Sequence, residues 1–231
     1  RGVRVGMAAS VTREGGRWGE RAELRQAWPW RVPLLVVVAL PHLNVLVGRD
    51  AYRHGDMGQW FLPVRVFTTS QLRAGNLTPW CWLVGCGYPF WAEPQSGTFY
   101  LPNLLFLTGG PPELWFGWLL WFHYGWAALG AWALCRRLGG SRAGALLAGG
   151  VFAGGGFMTA HLGAYALVCA AAWLPWWWYA LVRWRQQGDW LGPGLLALCC
   201  AAQLLAGHPH VWFISLLAAL CFQLAYQPRG K

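Results

Sequence analysis

Charge is the scarcest ingredient of this 231-residue sequence: 11% of it is charged, with 8 carboxylates and a single lysine, Lys231. A water-soluble domain carries about a quarter charged residues, so a globule of this composition would be poorly wetted, and an ordinary cytosolic globule is excluded. Paired Cys-x-x-Cys spacing is missing, which removes the common structural zinc sites. The lone lysine lies at the extreme C-terminus, so no glycine-rich phosphate loop of the Gly-Lys-Ser/Thr type exists. A continuous basic stripe is also lacking. The formal charge of +10 comes from arginines that punctuate apolar segments, which is a poor pattern for gripping nucleic acid.

What is abundant is apolar and aromatic: 56% hydrophobic residues, 19 Trp and 31 Gly. That mixture belongs to a protein whose solvent is lipid. Of the seven cysteines, Cys135, Cys169, Cys199, Cys200 and Cys221 lie in apolar runs and act as small hydrophobes. Cys81 and Cys86 lie in a polar loop, where a bridge between them stays open.

Six apolar runs occur, at 32–47, 113–135, 143–158, 161–182, 191–206 and 211–226. At about 1.5 Å per residue the first reaches roughly 24 Å, nearly the thickness of a bilayer core. Pro41 inside it predicts a kink or an unwound exit near His42 to Asn44. Residues 1–31 hold seven Arg and three Glu and read as a cytoplasmic tail, with a second short tail at 227–231. If the N-terminus is inside, 14 of the 18 basic residues fall on inner segments. The other four, Arg49, Arg53, Arg65 and Arg73, lie in one large loop at 48–111, whose Asp50, Asp56 and Glu93 nearly balance them. That loop then faces outward, together with the short turns at 155–161 and 207–210.

The loop carries the groups with chemistry. Asp50 and Asp56 follow the first run within a few residues, so their carboxylates lie at the membrane surface, where a lipid-linked headgroup would sit. Residues 61–72 can form a short amphipathic helix in the interface, with Pro63 in its first turn. For Asp56 the plain alternative is a solvated loop acid or a helix N-cap. For His161 and His208, at outward ends of runs, it is an interfacial histidine bonding a carbonyl. Gln203, His123 and Gln223 interrupt apolar runs and must face another helix or an aqueous cavity. The cluster Trp176-Trp177-Trp178-Tyr179 reads as an interfacial aromatic belt.

An ordered series of short motifs completes the reading. Gly55-Asp56-x-x-Gln59-x-x-x-Pro63 is followed by Gly75-x-x-x-Pro79-Trp80 and Gly85-x-Gly87-x-Pro89. Next come Pro94-Gln95-Ser96-Gly97-x-Phe99-Tyr100-x-Pro102-Asn103-Leu104, Arg137-Leu138-Gly139, Ala172-Trp173-Leu174-Pro175 and Ala206-Gly207-His208-Pro209. In these residues the chain resembles the bacterial YfhO-type membrane proteins, placed in the GT-C superfamily of integral-membrane glycosyltransferases. The resemblance implies an all-α integral membrane protein, a multi-span GT-C bundle whose large first extracytoplasmic loop carries short interfacial helices. It implies residence in a bacterial cytoplasmic membrane with the N-terminus inside, and this stretch as the N-terminal portion of a longer protein.

The same resemblance implies inverting transfer of a sugar from a polyprenyl-phosphate carrier to an extracytoplasmic glycan or polymer acceptor. Asp56 matches the family's catalytic carboxylate as general base, with Asp50 second. Arg53, Arg65, His161 and His208 are candidates to hold the carrier phosphate. Gln59, Gln95, Tyr100 and Asn103 are candidates for sugar contacts, although folding the loop on itself would use the same hydrogen bonds. Two acids six residues apart leave a divalent cation open, without a third ligand and with no cofactor otherwise implied. Competing readings are a transporter or flippase component and a non-catalytic membrane scaffold. The acids avoid the apolar runs, which disfavours proton-coupled transport.

Overall fold

The computed structural model describes residues 28–77 and 79–225. Among them the chain is helical and contains no strand; Cys81 and Tyr88 form an isolated antiparallel bridge. The tails expected at 1–31 and 227–231 lie outside the described residues, apart from 28–31, which open the first helix.

Helix α1 spans Trp28–Ala39, and Pro41 converts the next turn into a 3-10 segment, Leu40–His42, before the single turn α2, Leu43–Leu46. Proline supplies no N–H and clashes with the carbonyl four residues back, so the break lies where the sequence requires it. In the loop, a π-helical turn at Met57–Phe61 runs into α3, Leu62–Arg73, and two 3-10 segments follow at Pro94–Ser96 and Leu101–Thr108. The 26-residue α4, Pro112–Arg137, comes next. Helix α5, Arg142–Gly154, breaks at Gly155 into the short α6, Gly156–Ala160. Helix α7, Tyr165–Ala172, passes into α8, Leu174–Gln187, at the joint that Pro175 imposes. Last are α9, Leu191–Leu205, and α10, Pro209–Ala225.

The stretches Arg142–Ala160 and Tyr165–Gln187 are long and apolar enough to cross a membrane, and Arg31–Leu46, Leu191–Leu205 and Pro209–Ala225 are shorter apolar helices. Helix α4 is the hub, packing against α1, α5, α7 and α8. Its neighbour α7 is built from small residues, and Ala166, Val168, Cys169, Ala170 and Ala172 are fully enclosed. Small side chains let backbones approach closely, the packing mode on which helices in lipid rely. The outer flanks stay apolar and uncovered: Val36 and Val37 on α1, Leu147 and Val151 on α5, Ile214 and Leu217 on α10.

Tertiary contacts fix the direction of each helix. Arg31 lies over the Trp132 ring at 4.7 Å and Arg137 over the Tyr179 ring at 5.8 Å, so Arg31, the end of α4 and the end of α8 share one pole. The Arg136 guanidinium donates to Gly140 O at 2.7 Å, and Arg183 pairs with Asp189 at 2.8 Å. The opposite pole gathers the large loop and the turns at 161–164 and 207–208. A methyl group on Gly163 would meet His54 O at 2.8 Å, and one on Gly207 would collide with Pro94 O.

Several expectations change in the packing. Cys81 and Cys86 are free thiols, Cys81 buried and Cys86 exposed, so no bridge closes this loop. Trp176 stacks on Trp126 at 4.4 Å and donates from its indole N–H to Trp126 O at 3.0 Å, while Trp177 is buried. Those rings pack helices together and do not form an exposed belt. Gln203 is enclosed and its amide N–H donates to Ala170 O at 3.0 Å, so its nitrogen finds a partner in the apolar run while its Oε1 has none among the described residues.

Candidate functional site

The loop pole contains three groups of polar side chains. The first begins where α2 ends. Arg49 N and Asp50 N both donate to Asn44 O, at 2.8 and 3.3 Å, which ties the exit to the helix end. Asp50 Oδ1 accepts from Ala51 N at 2.7 Å. Tyr52 turns inward and shares a 2.6 Å hydrogen bond with His42 Nδ1, its phenol pushed up to about 12 by burial and by the negative charge of Asp50. Arg53 reaches Glu113 in the first turn of α4 at 3.4 Å, closing the loop over 60 residues of sequence. Between these segments lies an open cavity of about 470 Å³, lined by Arg49, Asp50, Arg53, Pro111, Glu113 and Leu114. Two cations and two carboxylates on one wall suit a ligand carrying both phosphate and hydroxyl groups.

Asp56 lies beside this cavity in sequence but does not line it. It precedes the π-helical turn, is exposed, and its carboxylate caps no N–H and has no partner among the described residues. Gln59, one turn on, is exposed as well. The contact between Gly163 and His54 brings the turn after α6 against this segment.

The second group is made of histidines. His161 donates from Nδ1 to Phe157 O at 2.7 Å. The rings of His208 and His210 lie 5.7 Å apart. Burial pushes the His208 imidazole below its ordinary value, and the neighbouring His210 and His161 push the same way. His208 Nδ1 is enclosed without a hydrogen-bond partner. Gln95 belongs here by position, because the turn at Pro94 and Gln95 packs on Gly207.

The third group is turned inward. Arg65 is 3% exposed, and its guanidinium donates to Ser96 O at 2.7 Å and Gly97 O at 3.5 Å. Burial works against its positive charge, and the Phe106 ring face at 5.5 Å helps to offset this. Asn103 donates to the same Gly97 O at 2.8 Å and accepts from the Tyr165 hydroxyl at 2.8 Å. Tyr100 accepts from Trp173 Nε1 at 2.8 Å and donates to His123 Nε2 at 2.6 Å, since His123 Nδ1 already donates to Leu119 O. Three expected substrate contacts are therefore structural ties: Arg65 binds α3 to the turn at Ser96 and Gly97, Tyr100 ties the loop to α4, and Asn103 ties it to α7. The alternative that the loop folds on itself is what their geometry displays.

Among the described residues no three His, Cys, Asp or Glu side chains converge to hold a metal ion. The donor set does not fit the divalent cation left open by the two aspartates. Reading the sequence missed Glu113, hidden at the start of an apolar run, and His210, whose only signal was its spacing of two from His208. No family model, curated protein or solved structure matches this chain.

Proposed function

We infer that this chain is a multi-span membrane glycosyltransferase of GT-C type, acting on a polyprenyl-phosphate-linked sugar at the outer face of a bacterial cytoplasmic membrane. What supports the reading is the resemblance of the loop motifs, together with the apolar helices and the chemistry gathered at one pole. The observation that carries it is the placement of Asp50 and Asp56. Both follow the end of α2 within about ten residues, Asp50 in a cation-lined cavity and Asp56 unpaired in solvent.

In this reading an acceptor hydroxyl gives its proton to Asp56, with Asp50 as the second candidate. The oxygen then bonds to the anomeric carbon from the face opposite the phosphate, and the carbon–phosphate-oxygen bond breaks with its electron pair leaving on the phosphate. Arg49 and Arg53 supply positive charge for that leaving group, His208 can donate a hydrogen bond to it, and His161, whose Nδ1–H is given to Phe157 O, donates from Nε2 only as the imidazolium. Gln59 and Gln95 remain available to sugar hydroxyls. Arg65, Tyr100 and Asn103 hold the loop in shape.

The test is sugar transfer from a polyprenyl-phosphate donor in membranes bearing the protein. Asp56→Asn should lower the rate by about 100-fold or more, the usual worth of a positioned base. Unchanged transfer with Asp56→Asn and a collapse with Asp50→Asn would move the base to the cavity. No transfer by the unaltered protein, with movement of the lipid-linked sugar between leaflets, would favour a flippase. Neither activity would leave a scaffold.

A further inference from the structure

The segment between α3 and the Pro94–Ser96 turn has an unusual construction. No charged side chain occurs from 77 to 92, although Trp80, Trp82 and Trp91 all fall there. Cys81 N–H donates to Tyr88 O and Tyr88 N–H to Cys81 O, both at 2.8 Å, closing the base of a narrow loop. Beneath that base Cys81, Phe90 and Val64 form a small buried cluster on α3. The Tyr88 hydroxyl donates to Glu93, which anchors the far side.

The tip is the reverse of its mount. Trp82 is 60% exposed and Leu83 is 70% exposed, with Val84 beside them. The apolar surface extends through the ring contact of Trp91 with Phe99, at 5.6 Å, to Leu101, which is 74% exposed. A soluble surface does not normally place a tryptophan and a leucine side by side on a pinned loop with no charge near them. A sugar platform would pair such rings with amide or carboxylate side chains, and the tip has none.

We propose that residues 80–91 form a wedge that inserts into the lipid interface, giving the loop its own membrane contact apart from the helical bundle. Three observations name lipid as the occupant. The segment carries no charge to be desolvated on insertion. Tryptophan prefers the boundary between headgroup and acyl chain, where its apolar ring and N–H are both accommodated. The helices of the same molecule already leave Val36, Val37, Leu147 and Ile214 bare, as lipid-covered flanks do. The backbone limits the depth. Within the tip Gly87 N–H bonds Val84 O at 3.0 Å, but the other peptide groups of 82–86 are left to water. The wedge therefore stops at the headgroup and upper acyl level and does not enter the hydrocarbon centre. This inference is independent of the glycosyl-transfer reading.

Cys86 is exposed on the tip, and Cys221 is the other exposed thiol. The full chain carrying Cys221→Ser is labelled at Cys86 with the environment-sensitive fluorophore NBD, after reconstitution into vesicles of phosphatidylcholine and phosphatidylglycerol. A Cys86→Ser, Cys221→Ser chain gives the background. The expected result is blue-shifted emission, quenched several-fold more by lipid with a doxyl group near its headgroup end than by aqueous iodide. Leu83→Asp in the labelled chain should reverse that preference. Quenching by iodide without quenching by doxyl lipid places the tip in water and overturns the proposal. Protection from both quenchers means that protein covers the tip, and overturns it equally.

Discussion

The two poles of this bundle are built from different materials. At one, Arg31 lies in the first turn of α1 and Arg136, Arg137, Arg183 and Arg185 lie near the ends of α4 and α8, and the connections are short: Ser141 caps α5 by accepting from Gly144 N, and Asp189 accepts from Gly192 N at the start of α9. At the other, a 64-residue loop with four arginines and three acids is folded on itself and tied down by buried hydrogen bonds. The basic pole solves a local problem, that of finishing each helix and keeping its charge in water. The loop pole solves a tertiary one, holding polar backbone against apolar helices without leaving it unpaired. Function is expected at the second pole because, among the described residues, carboxylates are left over there once structural needs are met.

If that contrast is right, removing an internal tie of the loop should cost much more than removing a cap at the basic pole. Arg65→Ala leaves Ser96 O with no guanidinium donor and Gly97 O with Asn103 alone, and opens space beneath them. A loss of about 3 kcal/mol is expected for charged hydrogen bonds broken in a buried setting. It would be read as a fall in the thermal midpoint of the detergent-solubilised protein. A midpoint unmoved by Arg65→Ala would mean that the loop is not clamped as described. Tyr165→Phe removes one hydroxyl bond to Asn103 and should cost about 1 kcal/mol.

Much of the helical frame was legible in the sequence, and so was the place of some of its defects. Pro41 had to interrupt the first run and Gln203 had to find a partner, whereas the joint at Pro175 falls inside a run that reads as continuous from 161 to 182. The direction of Arg65 was not legible. An arginine on an amphipathic helix points to water when nothing covers it. Only the fold of residues 94–103, distant in sequence, puts two carbonyls over that guanidinium. The belt read from Trp176 and Trp177 fails for a related reason: an aromatic cluster suits a lipid boundary by composition, and only the arrival of Trp126 opposite makes it a helix contact. Glu113 was masked by the apolar run it opens. Its meaning came from Arg53 folding back to it.

At the basic pole, Asp189→Ala removes both an ion pair to Arg183 and a hydrogen bond to Gly192 N. Because the Asp189 side chain is 42% exposed, solvent screens the pair, and a loss of about 1 kcal/mol is expected, most of it from the cap. A loss larger than that of Arg65→Ala would reverse the comparison between the poles.

Acidification should also act on the loop pole first. The His208 imidazole has its proton affinity lowered by burial, and by His210 and His161 nearby, so the unfolded chain binds the proton more readily than the folded one. Stability from this group is complete above the ordinary histidine value of about 6.5 and declines as pH falls from there to the lowered value. His208→Gln should flatten that part of the pH–stability profile. A profile equally steep with and without His208 would assign the acid sensitivity elsewhere.

The smallest effect belongs to the most conspicuous ion pair. Arg53 and Glu113 meet at 3.4 Å, but the Arg53 side chain is 67% exposed, so water and salt screen the attraction. A double-mutant cycle with Arg53→Met and Glu113→Gln should give a coupling below about 0.5 kcal/mol in thermal stability. In the transfer assay the two changes should part company. Arg53→Met removes positive charge from the cavity wall and should raise the KM for a phosphate-bearing donor, whereas Glu113→Gln removes a competing negative charge and should lower it. Opposite shifts in KM with almost no coupling in stability would mark the pair as a feature of the cavity and not of the fold. A strong stability coupling would instead make it one more tie of the loop, and would leave Asp50 as the sole acid of that wall without a structural task.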